Sequence, residues 1–268
     1  MIKTTEQESR YSGLEKMAVE DLLAAINRED RCVPDAVEKA IPRIAAVVEE
    51  ICSRMKRGGR VFYIGAGTSG RLGIIDASEI PPTYGVHDKF IGIIAGGDQA
   101  IRTAKEGVED NPAQGAEDIL AFRPDSNDTL IGISASGGAP YVIGAVKAAK
   151  EAGAFTSCIT CNESSALASE VDTPIVAVVG PEFVTGSTRM KSGTAAKLIL
   201  NMISTSVMIR LGHVRGNRMV DMQLTNKKLV DRGTRMIMAE TGESDYEKAK
   251  ALLLLHGSVR EAVEHYGR

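Results

Sequence analysis

Five short apolar runs recur along the chain, at 60–64, 90–95, 129–134, 155–161 and 174–179, and each pair is separated by enough residues to hold a helix. Parallel strands need a crossover of a dozen or more residues, and strands covered on both faces read as continuous apolar runs without alternation. The pattern therefore predicts an α/β fold, a doubly wound five-stranded parallel sheet flanked by helices. A long helix over 33–56 precedes the first run, with Val37, Ala40, Ile41, Ile44, Val47, Val48 and Ile51 at helical spacing, a Pro34-Asp35 start and a Gly58-Gly59 stop. The crossover before 129 holds two short helices, around 99–106 and 112–122. After Gly180 the character changes to a long apolar helix over 192–211, its stripe running through Ala195, Leu198, Ile199, Met202, Ile203, Ser206 and Ile209. Helices at 226–240 and 245–255 complete the chain, so the expected division is a sheet domain at 1–223 and a helical appendage at 224–268. The run Leu252 to Leu255 belongs to packing within that appendage.

The first strand runs into Gly65-Ala66-Gly67-Thr68-Ser69-Gly70 and leaves through a helix carrying Glu79. Glycines at 65, 67 and 70 let backbone N–H groups approach a ligand, Thr68 and Ser69 add hydroxyl donors, and a helix starting near Ser69 would present unpaired N–H groups to an anion. The letters match G-x-G-x-x-G, but a dinucleotide site also needs an acidic residue ending the next strand. That strand ends in Gly96-Gly97 before Asp98, and the hydroxyl pair fits a phosphate monoester better. The third run enters a loop of the same kind, Ser134-Ala135-Ser136-Gly137-Gly138-Ala139-Pro140. Ligands of open parallel sheets bind at the carboxyl ends of strands, so both loops can meet one phosphorylated molecule in one crevice. Gly67, Thr68, Ser69, Ser134, Ser136 and Gly137 are the candidate phosphate and sugar contacts. Two tight turns with Ser as a helix cap would give the same letters.

The composition narrows the partners. The 268 residues carry 32 basic and 35 acidic side chains, net −3, with no block of either sign. There is no electrostatic footprint for nucleic acid, so an anionic ligand must be held locally. No apolar stretch approaches the roughly 20 residues of a membrane span, and the polar start MIKTTEQESR lacks a signal peptide's apolar stretch, so the expected location is the cytoplasm. Cys158 and Cys161 form a C-x-x-C pair, but they fall inside an apolar run and no second pair accompanies them, which makes them small buried thiols. The four histidines have no metal-ligand spacing, and no metal site is expected.

Four segments, GAGTSGRLGIIDASEIPPTYG at 65–85, EGVED at 106–110, SASGGAPYV at 134–142 and TGSTRMKSGTAAKLILNM at 185–202, are closely similar to the N-acetylmuramic acid 6-phosphate etherase family. The resemblance implies a sugar isomerase (SIS) domain that binds phosphosugars, usually as a homodimer with sites near the subunit interface. It implies cleavage of the lactyl ether of N-acetylmuramate 6-phosphate to N-acetylglucosamine 6-phosphate and D-lactate in cell-wall sugar recycling, without metal or organic cofactor. The family's two acid/base glutamates fall on Glu79, in D-A-S-E, and on Glu109, the second glutamate of E-G-x-E-D. In family terms Glu79 protonates the departing ether oxygen and Glu109 removes the C2 proton. Without the resemblance, Glu79 reads as an ordinary helix-face carboxylate and Glu109, beside Glu106 and Asp110, as a solvated acidic turn. Arg71, Arg189 and Lys191 fit surface cations, a capped helix start or contacts to substrate anions, and their roles stay open.

The chain departs from the family at two points. Gly138 stands where an Arg usually follows SASG, which bears on a cationic contact at the second loop, and the helical C-terminal region ends early, which bears on stability or assembly more than on chemistry. Two other functions use the same fold: a non-catalytic phosphosugar sensor, which needs the loops and no paired carboxylates, and a phosphosugar isomerase, which uses a Glu base and releases no lactate.

Overall fold

A computed structural model describes residues 3–267. In chain order the main elements are α1 (Val19–Asp30), α2 (Cys32–Met55), β1 (Val61–Gly65), α3 (Gly67–Ser78), α4 (Ile80–Tyr84), β2 (Phe90–Ile94), α5 (Gln99–Arg102), α6 (Pro112–Leu120), β3 (Thr129–Ile133), α7 (Pro140–Glu151), β4 (Phe155–Thr160), α8 (Ala166–Glu170), β5 (Thr173–Val176), α9 (Lys191–Arg210), a two-residue hairpin pair β6 (Val214–Arg215) and β7 (Arg218–Met219), α10 (Lys227–Thr241), α11 (Tyr246–His256) and α12 (Val259–Glu264). The five predicted strands all form, four within a residue of the expected ends, while the fifth stops at Val176, three residues short of the expected 179. They pair in parallel in the order β2-β1-β3-β4-β5. Chain order reverses between β1 and β3, which makes the carboxyl ends of these two strands the switch point of the sheet.

Burial explains the apolar runs. Val61, Phe62, Tyr63 and Ile64 of β1 are inaccessible to solvent, and so are Leu130 and Ile131 of β3. On one face, α3 approaches so closely that glycines are required on both sides of the contact. A β-carbon on Gly73 would lie 2.9 Å from Tyr63 Cβ, and one on Gly92 would lie 2.6 Å from Ile74 Cα. On the other face, Phe62, Ile64 and Leu130 share a core with Ile119 of α6, Tyr141, Val142 and Val146 of α7, and Leu167 of α8. The sheet is therefore covered on both sides, as continuous apolar strands demand.

Two compact units divide the chain. One holds everything described up to Ser78 together with Lys89–Ser204, including the sheet. The other joins Glu79–Asp88 to the described residues from Thr205 onward, around its own core of Val220, Met222, Met236, Ile237, Ala249, Leu253, Val259 and Ala262. Inside it, the Gln223 N–H donates to the Pro82 carbonyl (3.2 Å), and Asp221 accepts from Arg260 Nε (2.7 Å) while lying 2.8 Å from His213 Nδ1.

Three helical expectations shift. The helix after the first loop stops at Ser78, because Pro81 and Pro82 cannot continue it; Glu79 sits at the junction, and a new helix starts with the prolines in its first turn. The buried face of α9 runs through Ala195, Ala196, Ile199, Leu200, Ile203, Val207 and Met208, leaving Met202 38% and Ile209 48% exposed. Of the four leucines at 252–255, Leu253 is buried, whereas Leu254 and Leu255 are 55% and 77% exposed.

Candidate active site

The first loop is built by steric necessity. A β-carbon on Gly65 would meet the Gly70 nitrogen at 2.6 Å, and one on Gly70 would meet Gly65 O at 2.7 Å and Ile94 Cγ1 at 2.6 Å. Gly67 has φ +54°, a left-handed conformation that glycine adopts without strain. The helix begins at Gly67, two residues earlier than predicted, so Thr68 and Ser69 lie in its first turn among N–H groups that lack intrahelical partners. Arg71, on the same helix, donates to the carbonyls of Ile101 (Nε, 2.9 Å) and Ala100 (Nη2, 2.7 Å), so it clamps the α5 segment.

The second loop leaves β3 through buried Ser134, whose N–H donates to Ile159 O (3.1 Å) and whose carbonyl accepts from Gly137 N (2.9 Å). Gly137 has φ +63°, and a β-carbon there would lie 2.8 Å from Thr160 Oγ1 and closer still to Ser165. The buried side chain of Asn162 donates to the carbonyls of Ala135 (3.3 Å) and Ser136 (3.2 Å), fixing the loop from behind. The Ser136 hydroxyl accepts from Gly138 N (3.2 Å).

Between these loops, at the switch point, lies a cavity of about 370 Å³, within the range of small-molecule sites. Gly67, Thr68, Ser69, Ser134, Ser136 and Glu109 all line it. Gly137 does not: it shapes the loop from behind. Glu109 arrives on a single helical turn, Val108–Asp110, together with Asp110. Glu79 is not among the lining residues; it is exposed, belongs to the second unit and makes no side-chain cap on α4. Four further lining residues with polar or charged side chains, Lys3, Glu6, Asp110 and Thr188, were not identified from the sequence as site residues.

A larger cavity of about 750 Å³ lies along β2 and α6. Its walls include Asp98, Glu106, Glu117 and Asp118 but no Ser, Thr, Lys or Arg, so its charged side chains are all acidic and it lacks the hydroxyls and the ammonium of the smaller cavity. Among the described residues, no three His, Cys, Asp or Glu side chains gather as a metal-binding group.

The open roles near α9 resolve into structure. Lys191 is 1% exposed, and its Nζ donates to Glu29 Oε2 (2.7 Å). Buried Glu182 accepts from the Lys191 and Ser192 N–H groups (2.8 and 2.9 Å) and from the Ser192 hydroxyl (2.8 Å), anchoring the start of α9. Arg189 is exposed and lines a shallow depression with Thr68 and Lys197. Burial pushes the Cys158 thiol up to about 12 and Cys161 to about 11, as expected of inert buried thiols. Burial also raises Asp76 above the usual carboxylate range, against hydrogen bonds from Asn201 and Ser204 that pull the other way.

Residues 43–150 match the family model described as the glucokinase regulatory protein N-terminal SIS domain. A N-acetylmuramic acid 6-phosphate etherase of Bacteroides thetaiotaomicron is 59% identical over 268 residues, covering 100% of this chain and 96% of that protein. One of Porphyromonas gingivalis is 60% identical over 263 residues, covering 98% and 96%. Among solved structures, a phosphoheptose isomerase of Francisella tularensis matches 70% of this chain and 100% of its own with TM-score 0.52 at 16% identity, which bears on the fold alone.

Proposed function

We infer that this chain, which belongs to the N-acetylmuramic acid 6-phosphate etherase family and is an enzyme of that type, cleaves the D-lactyl ether of N-acetylmuramic acid 6-phosphate through Glu109 and Glu79. The observation that carries the assignment of the site is the meeting of Glu109 with both hydroxyl-bearing loops in one cavity at the switch point. The substrate phosphate binds Ser69, Thr68, Ser134 and Ser136 and the N–H groups at the start of α3, which favour a dianion. Anchored there, the sugar presents C2 to Glu109.

The chemistry needs a base and an acid together. The C2 proton is weakly acidic and the lactate alkoxide is a poor leaving group, so Glu109 takes the C2 proton while Glu79 protonates the ether oxygen on C3. The C3–O bond breaks, a C2–C3 double bond forms and D-lactate leaves. Water then adds its oxygen to C3 and a proton returns to C2, giving N-acetylglucosamine 6-phosphate. Support for Glu109 is its place in the cavity; support for Glu79 is its match to the family's D-A-S-E motif. We also propose a cytoplasmic homodimer; among the described residues no helix is long and apolar enough to cross a membrane.

The test is D-lactate release from N-acetylmuramic acid 6-phosphate by the wild type, Glu79→Gln and Glu109→Gln, each with and without EDTA. Lactate from the wild type alone, unchanged by EDTA, supports the mechanism. Ligand-induced thermal stabilisation without lactate would replace it with a phosphosugar sensor.

A further inference from the structure

The cavity walls pose an electrostatic problem. Glu6, Glu109 and Asp110 bring three carboxylates to a site that must hold a phosphate dianion, and among the described lining residues Lys3 is the one cation. Its ammonium makes no ion pair or hydrogen bond to any other described residue.

Lys3 is carried on an N-terminal arm that is fastened to the second loop. Thr5 is fully buried; its N–H donates to Asn162 Oδ1 (3.3 Å), and its hydroxyl accepts from Asn162 Nδ2 (3.0 Å). The same Nδ2 donates to the loop carbonyls of Ala135 and Ser136, so one amide sets the arm and the loop in register. Further along, the Ser9 hydroxyl donates to Phe183 O (2.7 Å), and the Tyr11 ring packs on Phe183 at 4.9 Å.

Gly138 supplies the independent observation. Its φ is not in the left-handed region, so the backbone does not require glycine there. The Lys3 ammonium uses the space instead: a β-carbon at 138 would lie 2.5 Å from Lys3 Nζ and 3.6 Å from Ser136 Oγ. A side chain at this position pushes the ammonium from its present place over the turn, by a shift of the flexible Lys3 stem.

We propose that Lys3 is a substrate-binding residue, an arm-borne cation that pairs with the substrate phosphate over the Ser136–Gly138 turn, in the space that glycine at 138 leaves open. This rests on the reading of the cavity as a phosphosugar site. As a compact point charge on a flexible stem, lysine can follow the phosphate without demanding bidentate geometry.

The experiment compares wild type, Lys3→Gln, Lys3→Arg and Gly138→Ala. It measures the Kd for inorganic phosphate and for N-acetylglucosamine 6-phosphate by calorimetry, and KM and kcat for D-lactate release. Lys3→Gln is expected to weaken both ligands and raise KM about 10- to 100-fold, with kcat little changed, and Gly138→Ala to move the same way. Lys3→Arg is expected to recover most of the loss. Phosphate affinity and KM within about twofold of wild type in Lys3→Gln would overturn the proposal. So would a raised KM with unchanged affinity for N-acetylglucosamine 6-phosphate, a ligand without the lactyl carboxylate, because that result would place the cation at that carboxylate instead. Absence of lactate from the wild type would sink the etherase reading by itself, while the phosphate titration would still decide the role of Lys3.

Discussion

Replacing Lys191 with Met leaves the Glu29 carboxylate buried beside a thioether. The wild-type pair is 2.7 Å apart, with Lys191 1% and Glu29 8% exposed. At an effective dielectric of about 20, the attraction is roughly 6 kcal/mol, much of it offset by the cost of taking both charges out of water. Breaking such a pair typically costs about 3–5 kcal/mol. Arg10, 3.8 Å from the other Glu29 oxygen and mostly exposed, compensates weakly, which sets the expectation near 3 kcal/mol. Urea unfolding at pH 7, followed by circular dichroism, measures it. The double variant Lys191→Met with Glu29→Leu should recover most of the loss, because it leaves no orphaned charge. Burial is the largest influence on Glu29 and raises its pKa, but the Lys191 hydrogen bond and charge bring the net value below the ordinary one. A depressed carboxylate contributes stability that is present above its unfolded pKa and lost as pH falls through the folded one. The difference between wild type and Lys191→Met should therefore shrink in acid, below about pH 4.5. A cost under about 1 kcal/mol, a double variant no more stable than the single, or a difference indifferent to acid would each refute this account.

Glu109→Gln should lower kcat by about 10²- to 10⁴-fold with KM within a few-fold, read from lactate release. Gly137→Ala combines a left-handed φ with a β-carbon driven into Ser165, and should cost about 2–4 kcal/mol in urea unfolding. Asp76→Asn keeps an oxygen to accept from Asn201 and Ser204; because a raised carboxylate loses its contribution as pH climbs through the folded pKa, the variant should match or exceed wild-type stability at pH 7 and lose that advantage below about pH 4. With its thiol near 12 against an ordinary 9, Cys158 should react with a thiol reagent at least about 1000-fold more slowly in the native protein than in urea.

The strands were legible because each is a continuous apolar run, and a run buried on both faces has no competing interpretation once helix-long spacers separate it from the next. The two loops were legible for a related reason: hydroxyls and glycines at the carboxyl end of a parallel strand have few other uses. The face of α9 was not, because apolar residues stand on several sides of it, and neighbouring side chains rather than periodicity decided which sank. Lys3 lies outside any local pattern: the contact that seats its arm joins Thr5 to Asn162 across 157 positions. Lys191 was visible as a cation near the site, but its destination was fixed by Glu29, 162 positions away. Glu79 is proposed from its motif alone, and it stands at the junction between α3 and the proline-led α4.

The second unit is assembled from two stretches of chain, Glu79–Asp88 and the residues from Thr205 onward. A ribosome making this protein therefore releases Ile80 and Tyr84, both buried in the finished molecule, long before the chain that completes their unit exists. At about 5–20 residues per second, the roughly 120 intervening residues impose a wait on the order of 6–24 s. During that interval the sheet's own residues emerge and can pair, while this short segment has no partner from its own unit. Stalled or prematurely ended synthesis would leave this apolar segment without the rest of its unit, so the stretch between α3 and β2 is the place where a truncated product would be open to chaperones and proteases.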